Sequence, residues 1–369
     1  MRAAVTREPG SVSIEEIDKP VPAMGEVLVR LAATGICHTD LSMVSGALPA
    51  PLPFVPGHEG AGVVEATGPG VEDVGVGDHV VLSIVVSCGS CYQCGLGNLS
   101  ICEVGSAMAP GGLLLDGTTR LSNGGEEFHS LLCQSSLAEY AVVPSNSAVP
   151  IPKDIPFPVA SLLACGGGTG FGAVVRRTTL WIGSSVVVIG CGGVGLTAIM
   201  AAKVRGATTI IAVDPSAGAR AMAEKVGATH VLDPDGDRVL RSVMELTGRG
   251  ADVAIDAVGR KGTVETAFQS IRAGGEVVAV GIDDASNEVE LDLYGFMMQK
   301  RVTGTYAGSL VPRIDIPAAL ALYRDGRLPL DVLVSETYTL DDVPGLLTNE
   351  IRLPPGRAVV CFDQPEERP

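Results

Sequence analysis

Four cysteines fall between positions 88 and 102, at Cys88, Cys91, Cys94 and Cys102, in the pattern C-x2-C-x2-C-x7-C. Four thiolates on a glycine-containing loop can close tetrahedrally on one Zn2+, at about 2.3 Å each. The two-residue steps let backbone turns aim successive sulfurs at one point. Such a set leaves no coordination position open, so its zinc would be structural. An iron–sulfur cluster is held by the same residue type, and ordinary packed cysteines are the plain alternative.

A different chemistry is written at Gly190-Cys191-Gly192-Gly193-Val194-Gly195. G-x-G-x-x-G alone is weak in a chain with 47 glycines. Here it follows the apolar run 186–189 and opens a helix-like stretch, and the next strand-like run ends in Asp214, about twenty residues on. Gly190 permits a tight turn, and Gly192 and Gly193 let backbone approach a pyrophosphate. Val194 begins the helix whose N-terminus would face that charge. Gly195 permits close packing of helix on strand. Asp214 can bind ribose hydroxyls and repel a 2′-phosphate, and residues 215–219 offer no cation, so NAD is predicted over NADP.

Positioning these groups requires two kinds of domain. Before residue 167, short runs at 26–31, 62–66 and 79–82 are separated by Gly/Pro turns, the mark of a β-rich domain. From 185 the rhythm changes. Runs at 186–189, 209–213, 231–232, 252–256 and 276–280 alternate with helix-like stretches, among them one over 217–226. That is the pattern of a doubly wound parallel sheet. It stops near 305, and a further run at 357–362 predicts a return to the first domain. The predicted division is therefore 1–166, 167–305 and 306–369, in an α/β protein.

Bulk properties narrow the function. Of 369 residues, 46% are hydrophobic and 18% charged, which supports packed cores rather than disorder. The net charge of −16 and the lack of basic clusters argue against nucleic acid as partner. No apolar run reaches the ~18 residues of a membrane span, and residues 1–8 lack a signal-like stretch, so a cytoplasmic protein is predicted. In that compartment clustered cysteines point to metal or catalysis rather than disulfides.

A third set of ligand-type residues lies at Cys37-His38-Thr39-Asp40, Gly57-His58-Glu59-Gly60 and Ala164-Cys165-Gly166. None is convincing by itself. Taken with the cysteine cluster, the nucleotide turn and Gly77-Asp78-His79-Val80, the ensemble resembles the zinc-dependent medium-chain alcohol dehydrogenases over nearly the whole chain. The resemblance implies a GroES-like catalytic domain and a Rossmann domain, with two zincs per chain and NAD. It makes Cys37, His58 and Cys165 the catalytic ligands, with a fourth position open to water or substrate. Asp40 would orient the histidine and Glu59 would lie behind the metal. Thr39 would take the alcohol proton. His38 and Arg357 match basic positions near the cofactor phosphates. The implied reaction is reversible hydride transfer between an alcohol or aldehyde and NAD. A non-catalytic NAD-binding protein on the same fold is the alternative, against which the intact ligand set argues.

Local departures refine the resemblance. Ser42 stands where some members end the proton relay in a histidine. Residues 111–130 resemble an insert of the longer, dimeric branch, which includes glutathione-dependent formaldehyde dehydrogenase and implies a homodimer, with a tetramer as the alternative. Ser106 occupies that enzyme's glutathione-binding arginine position, so the glutathione adduct is not expected, while another thiol adduct stays open. Ile84 and Leu131 replace common pocket aromatics, which predicts room for bulkier primary alcohols.

Overall fold

A computed structural model describes residues 1–234, 236–283 and 287–362. The chain divides into two compact units. One comprises Met1–Cys165, Val311–Ala318 and the chain from Val334 onward; the other comprises Gly166–Leu310 and Ala319–Leu333.

The first unit is built on a seven-stranded sheet with strand Glu26–Gly35 at its centre. Gly60–Thr67 pairs with it antiparallel, Tyr140–Pro144 pairs with its first half, and Val359–Cys361 pairs with Ala33–Gly35. His79–Leu82 and Ala148–Pro150 extend the sheet beyond Gly60–Thr67. Only Arg30 on the central strand is not buried, which accounts for its nearly unbroken apolar sequence. Val27, Val29, Leu31, Val64, Val80 and Leu82 share one core cluster. The predicted C-terminal run becomes strand Arg357–Cys361, and the Ile36 N–H donates a hydrogen bond to the carbonyl of Ala358. That pairing brings Arg357 beside the segment that carries Cys37.

The second unit has a six-stranded, all-parallel sheet. Its order is His230–Leu232, Thr209–Val213, Ser185–Ile189, Ala251–Asp256, Ile271–Ala279 and Arg301–Gly304. This is the doubly wound arrangement with its switch point beside Ser185–Ile189. Helix Gly193–Val204 is almost wholly buried, and helix Ala217–Val226 starts at the capping hydroxyl of Ser216.

Two features differ from the sequence reading. The sixth strand, Arg301–Gly304, was not anticipated, because an edge strand with a single large apolar residue leaves no hydrophobic run to read. The tail from 306 also does not return to the first domain as one piece. Ala319–Leu333 belongs to the second unit, where Leu320, Leu328, Leu330 and Leu333 are buried and the turn Leu330–Leu333 packs on helix Gly193–Val204. The division falls inside helix Pro312–Arg324, so no turn or composition change marks it.

Candidate active site

Cys37 sits at the end of the central strand and caps the short helix His38–Val44. Its own amide donates to Asp40 Oδ2 at 3.0 Å. Asp40 Oδ1 accepts from the Gly57 amide at 3.0 Å and pairs with His58 Nδ1 at 2.9 Å. One buried carboxylate thus joins the segments carrying two ligand-type residues. Gly57 is required there: its φ is +98°, and a Cβ would lie 2.3 Å from the Leu137 nitrogen.

Ligand atoms of Cys37, His58, Glu59 and Cys165 all lie within 4.8 Å of one another. With Nδ1 held by Asp40, His58 presents Nε2 to the group, and that nitrogen is buried with no hydrogen-bond partner. An unsatisfied buried nitrogen facing two sulfurs fits a thiophilic cation such as zinc. The two thiols share charge unequally. The Cys37 thiol is held well below its usual range, first by the hydrogen bond from Cys165, against burial, with the Arg357 charge assisting. The Cys165 thiol is held well above it by the same sharing and by burial. Thr39 Oγ1 lies 3.8 Å from Cys37 Sγ, and His38 is exposed on the first turn of the helix.

Arg357 is placed differently from the expectation. Its guanidinium donates to Glu59 Oε1 at 3.0 Å and lies 3.9 Å from Cys37 Sγ, with the side chain 11% exposed and Glu59 fully buried. It is drawn into the cysteine–histidine centre as Glu59's partner, rather than presented as a free cation for a phosphate. A buried carboxylate needs such a partner, and removing one member of a buried pair costs about 3–5 kcal/mol. The sequence signal for this pairing is weak, because Glu59 lies just before strand Gly60–Thr67 and Arg357 opens strand Arg357–Cys361, segments brought together only by the C-terminal return.

Cys88, Cys91, Cys94 and Cys102 form the second cluster, their sulfurs again within 4.8 Å of one another. Amides point at the sulfurs: Cys88 N–H to Cys102 at 3.2 Å, Cys91 N–H to Cys88 at 3.4 Å and Gly105 N–H to Cys102 at 3.4 Å. Backbone N–H groups, that of Ser90 foremost, lower the Cys88 thiol to about 6 against its desolvation. Amides aimed at sulfur stabilise thiolate, the form that binds metal.

The backbone of the nucleotide turn is tightly constrained. Gly190 has φ +90°. Gly192 caps helix Gly193–Val204, and a Cβ on it would meet no protein atom within 4 Å. A Cβ on Gly195 would lie 1.8 Å from the Gly190 oxygen. Val194 is half-buried, its carbonyl packed so closely on Gly170 that a Cβ there would lie 2.1 Å away. Asp214 accepts from the amides of Cys191 and Ser216, each at 2.8 Å. The turn leaves a backbone cradle at a helix N-terminus with a carboxylate beside it, which fits a dinucleotide. A cation does stand nearby, one residue beyond the window read from sequence. Arg220 donates to the carbonyl of Asp214 at 2.6 Å and pairs with Asp233 at 3.0 Å.

Known proteins share this fold. The alcohol dehydrogenase GroES-like domain model matches residues 23–153, and the zinc-binding dehydrogenase model matches residues 193–325. The chain belongs to the zinc-dependent medium-chain alcohol dehydrogenase family. The NDMA-dependent alcohol dehydrogenase of Amycolatopsis methanolica is 38% identical over 349 residues, 93% of each chain. The S-(hydroxymethyl)glutathione dehydrogenase of Paracoccus denitrificans is 35% identical, over 93% of this chain and 94% of the relative. The crystal structure of benzyl alcohol dehydrogenase from Acinetobacter calcoaceticus superposes with a TM-score of 0.92 at 34% identity, covering 98% of this chain and 99% of that one. As a member of the family, the chain is an NAD-dependent zinc oxidoreductase, and it carries two clusters fit for zinc.

Proposed function

We propose that the protein interconverts primary alcohols and aldehydes, including bulky apolar or aromatic ones, with Cys37, His58 and Cys165 holding the catalytic zinc and the four-cysteine lobe a structural one. The observation that carries this reading is the convergence of two sulfurs on the partnerless, buried Nε2 of His58. Zinc held there would supply Lewis acidity that lowers the pKa of an alcohol, and bound NAD would supply the hydride acceptor. The chain's own residues do the rest. Asp40 fixes the His58 ring and its tautomer. Glu59, charge-balanced by Arg357, lies behind the ligand set. The Thr39 hydroxyl receives the alcohol proton, and Ser42 or water carries it on. Gly190, Gly192, Gly193, Val194 and Gly195 hold the pyrophosphate, with His38 as an exposed basic group for it, and Asp214 holds the adenosine ribose.

Ile84 and Leu131, both aliphatic and buried, support acceptance of bulkier alcohols, as does the likeness to a benzyl alcohol dehydrogenase. The likeness to an S-(hydroxymethyl)glutathione dehydrogenase supports a second reading, oxidation of a thiol adduct of formaldehyde, although Ser106 is no glutathione-binding cation. A homodimer is supported by exposed Leu293, Tyr294 and Met297 close in sequence to Arg301–Gly304, the edge of its sheet. No single described helix is long and apolar enough to cross a membrane.

One experiment addresses these points together: zinc content, then turnover of an alcohol panel with NAD or NADP, with and without thiols and with NDMA as acceptor. We expect two zincs per chain and turnover that rises from ethanol to benzyl alcohol. Cys37→Ala is expected to hold one zinc, to lose turnover and to keep NAD binding. Full activity in that variant overturns the ligand assignment, and a strict thiol requirement with formaldehyde favours the second reading.

A further inference from the structure

The loop over 131–137 has an unusual backbone. Leu132, Cys133 and Ser135 have φ of 49°, 55° and 55°, left-handed values that non-glycine residues adopt only when their surroundings hold them there. The holding bonds are explicit. Ser135 Oγ accepts from the Leu131 amide at 3.0 Å and donates to the Val55 carbonyl at 2.8 Å. Gln134, 2% exposed, uses both ends of its amide: Oε1 accepts from the Gly60 amide and Nε2 donates to the Leu82 carbonyl, each at 2.7 Å.

Those attachments, with two made by Ser136, lead to the segments that carry Cys37, His58 and Cys165. Gly60 is two residues from His58, and the Ser136 amide donates to the Gly57 carbonyl at 2.9 Å. Leu82 precedes Ile84, whose amide donates to the carbonyl of Ala164, the neighbour of Cys165, at 3.1 Å. Thr34, three residues before Cys37, shares a 2.7 Å hydroxyl–hydroxyl bond with Ser136. The same loop begins at Leu131, a candidate wall of the substrate pocket.

We propose that Gln134 is a positioning residue for the catalytic metal centre, clamping the His58 and Cys165 segments through one strained loop that also sets Leu131. The inference rests on the metal reading given above. Strain fits the role, because the left-handed residues turn the Gln134 amide inward between two strands, where both of its ends are satisfied. Gln134 touches neither metal nor substrate; it acts through Gly60 and Leu82.

The test is zinc release to a colorimetric chelator from the intact zinc-loaded protein. Cys37→Ala identifies which kinetic phase belongs to the three-residue site. In Gln134→Met, which keeps the volume and loses both hydrogen bonds, that phase is expected to quicken severalfold, less than the about 10- to 100-fold scale for losing a group bonded directly to a ligand. The four-cysteine phase stays unchanged. The kcat falls while the KM for NAD is unaltered. Thr34→Val, which removes a milder attachment, shifts the same phase in the same direction by less, and it carries the test should Gln134→Met fail to fold. Equal quickening of both phases, or no change in the first, overturns the clamp. A wild-type chain with only one zinc overturns the metal site itself, and the clamp with it.

Discussion

Asp40 Oδ1 lies 2.9 Å from His58 Nδ1, and neither side chain is exposed at all. The other carboxylate oxygen takes the Cys37 amide, so Asp40 orients the histidine and shapes the turn that presents the first cysteine. Asp40→Asn keeps the volume, but it removes the charge and points an amide donor at groups that are themselves donors. Zinc affinity at this site is expected to fall about 10- to 100-fold. Dialysis against a graded chelator series, followed by metal analysis, should show one zinc lost early and the four-cysteine zinc retained.

The nucleotide turn allows two glycines to be separated by one experiment. At Gly195 a Cβ would meet the Gly190 carbonyl at 1.8 Å, a contact with backbone that has nowhere to retreat. Gly195→Ala is expected to lower the thermal midpoint and weaken NAD binding together. At Gly192, φ is −80° and a Cβ has open space. Gly192→Ala should fold with an unchanged midpoint and still bind NAD more weakly, because the methyl occupies the backbone's approach to the pyrophosphate. Calorimetry and NADH fluorescence titration on both variants check the contrast.

The contrast shows what was legible in the sequence. The tight turn at Gly190, the open approach at Gly192 and the close packing at Gly195 could be read because the motif encodes local backbone geometry, and the clustering of the lobe cysteines because their spacing is local. Five strands of the parallel sheet were legible for the same reason, as apolar runs between turns. Contacts that depend on distant chain were not. Arg357 meets Glu59 only because the last strand pairs beside Glu26–Gly35, and Gln134 gains meaning only from Gly60 and Leu82. Ala319–Leu333 joins the second unit through buried leucines that would serve either domain equally well in sequence.

Arg220 changes the expectation for cofactor choice. Asp214 should exclude a 2′-phosphate by charge, yet a guanidinium is held against its carbonyl. Asp214→Gly therefore removes the repulsion and leaves a cation in place. The ratio of kcat/KM for NADP over NAD is expected to rise at least about tenfold, equivalent to about 1.4 kcal/mol. In Asp214→Gly with Arg220→Ala most of that gain should vanish. If the double variant keeps the full gain, Arg220 does not take the phosphate.

The last prediction concerns acid stability of the second unit. Asp252, 3% exposed, accepts the Ser185 amide and hydroxyl at 2.7 and 2.9 Å and pairs with Arg272 at 2.6 Å. It thereby ties together the starts of three adjacent parallel strands. Burial raises its pKa, but the Ser185 and Arg272 contacts outweigh that, and the net result is a carboxyl held below its usual range. A carboxyl depressed in the folded state contributes stability above its unfolded pKa of about 3.9, and loses it as pH falls through the lower folded value. Asp252→Asn should cost about 1.5–3 kcal/mol near neutral pH, the scale of a hydrogen bond to a charged group. The gap to wild type should stay level from pH 7 to about 5 and narrow only below about 4. Urea melts across that range measure it, and a gap that closes already above pH 5 would show that Asp252 is not depressed in the folded protein.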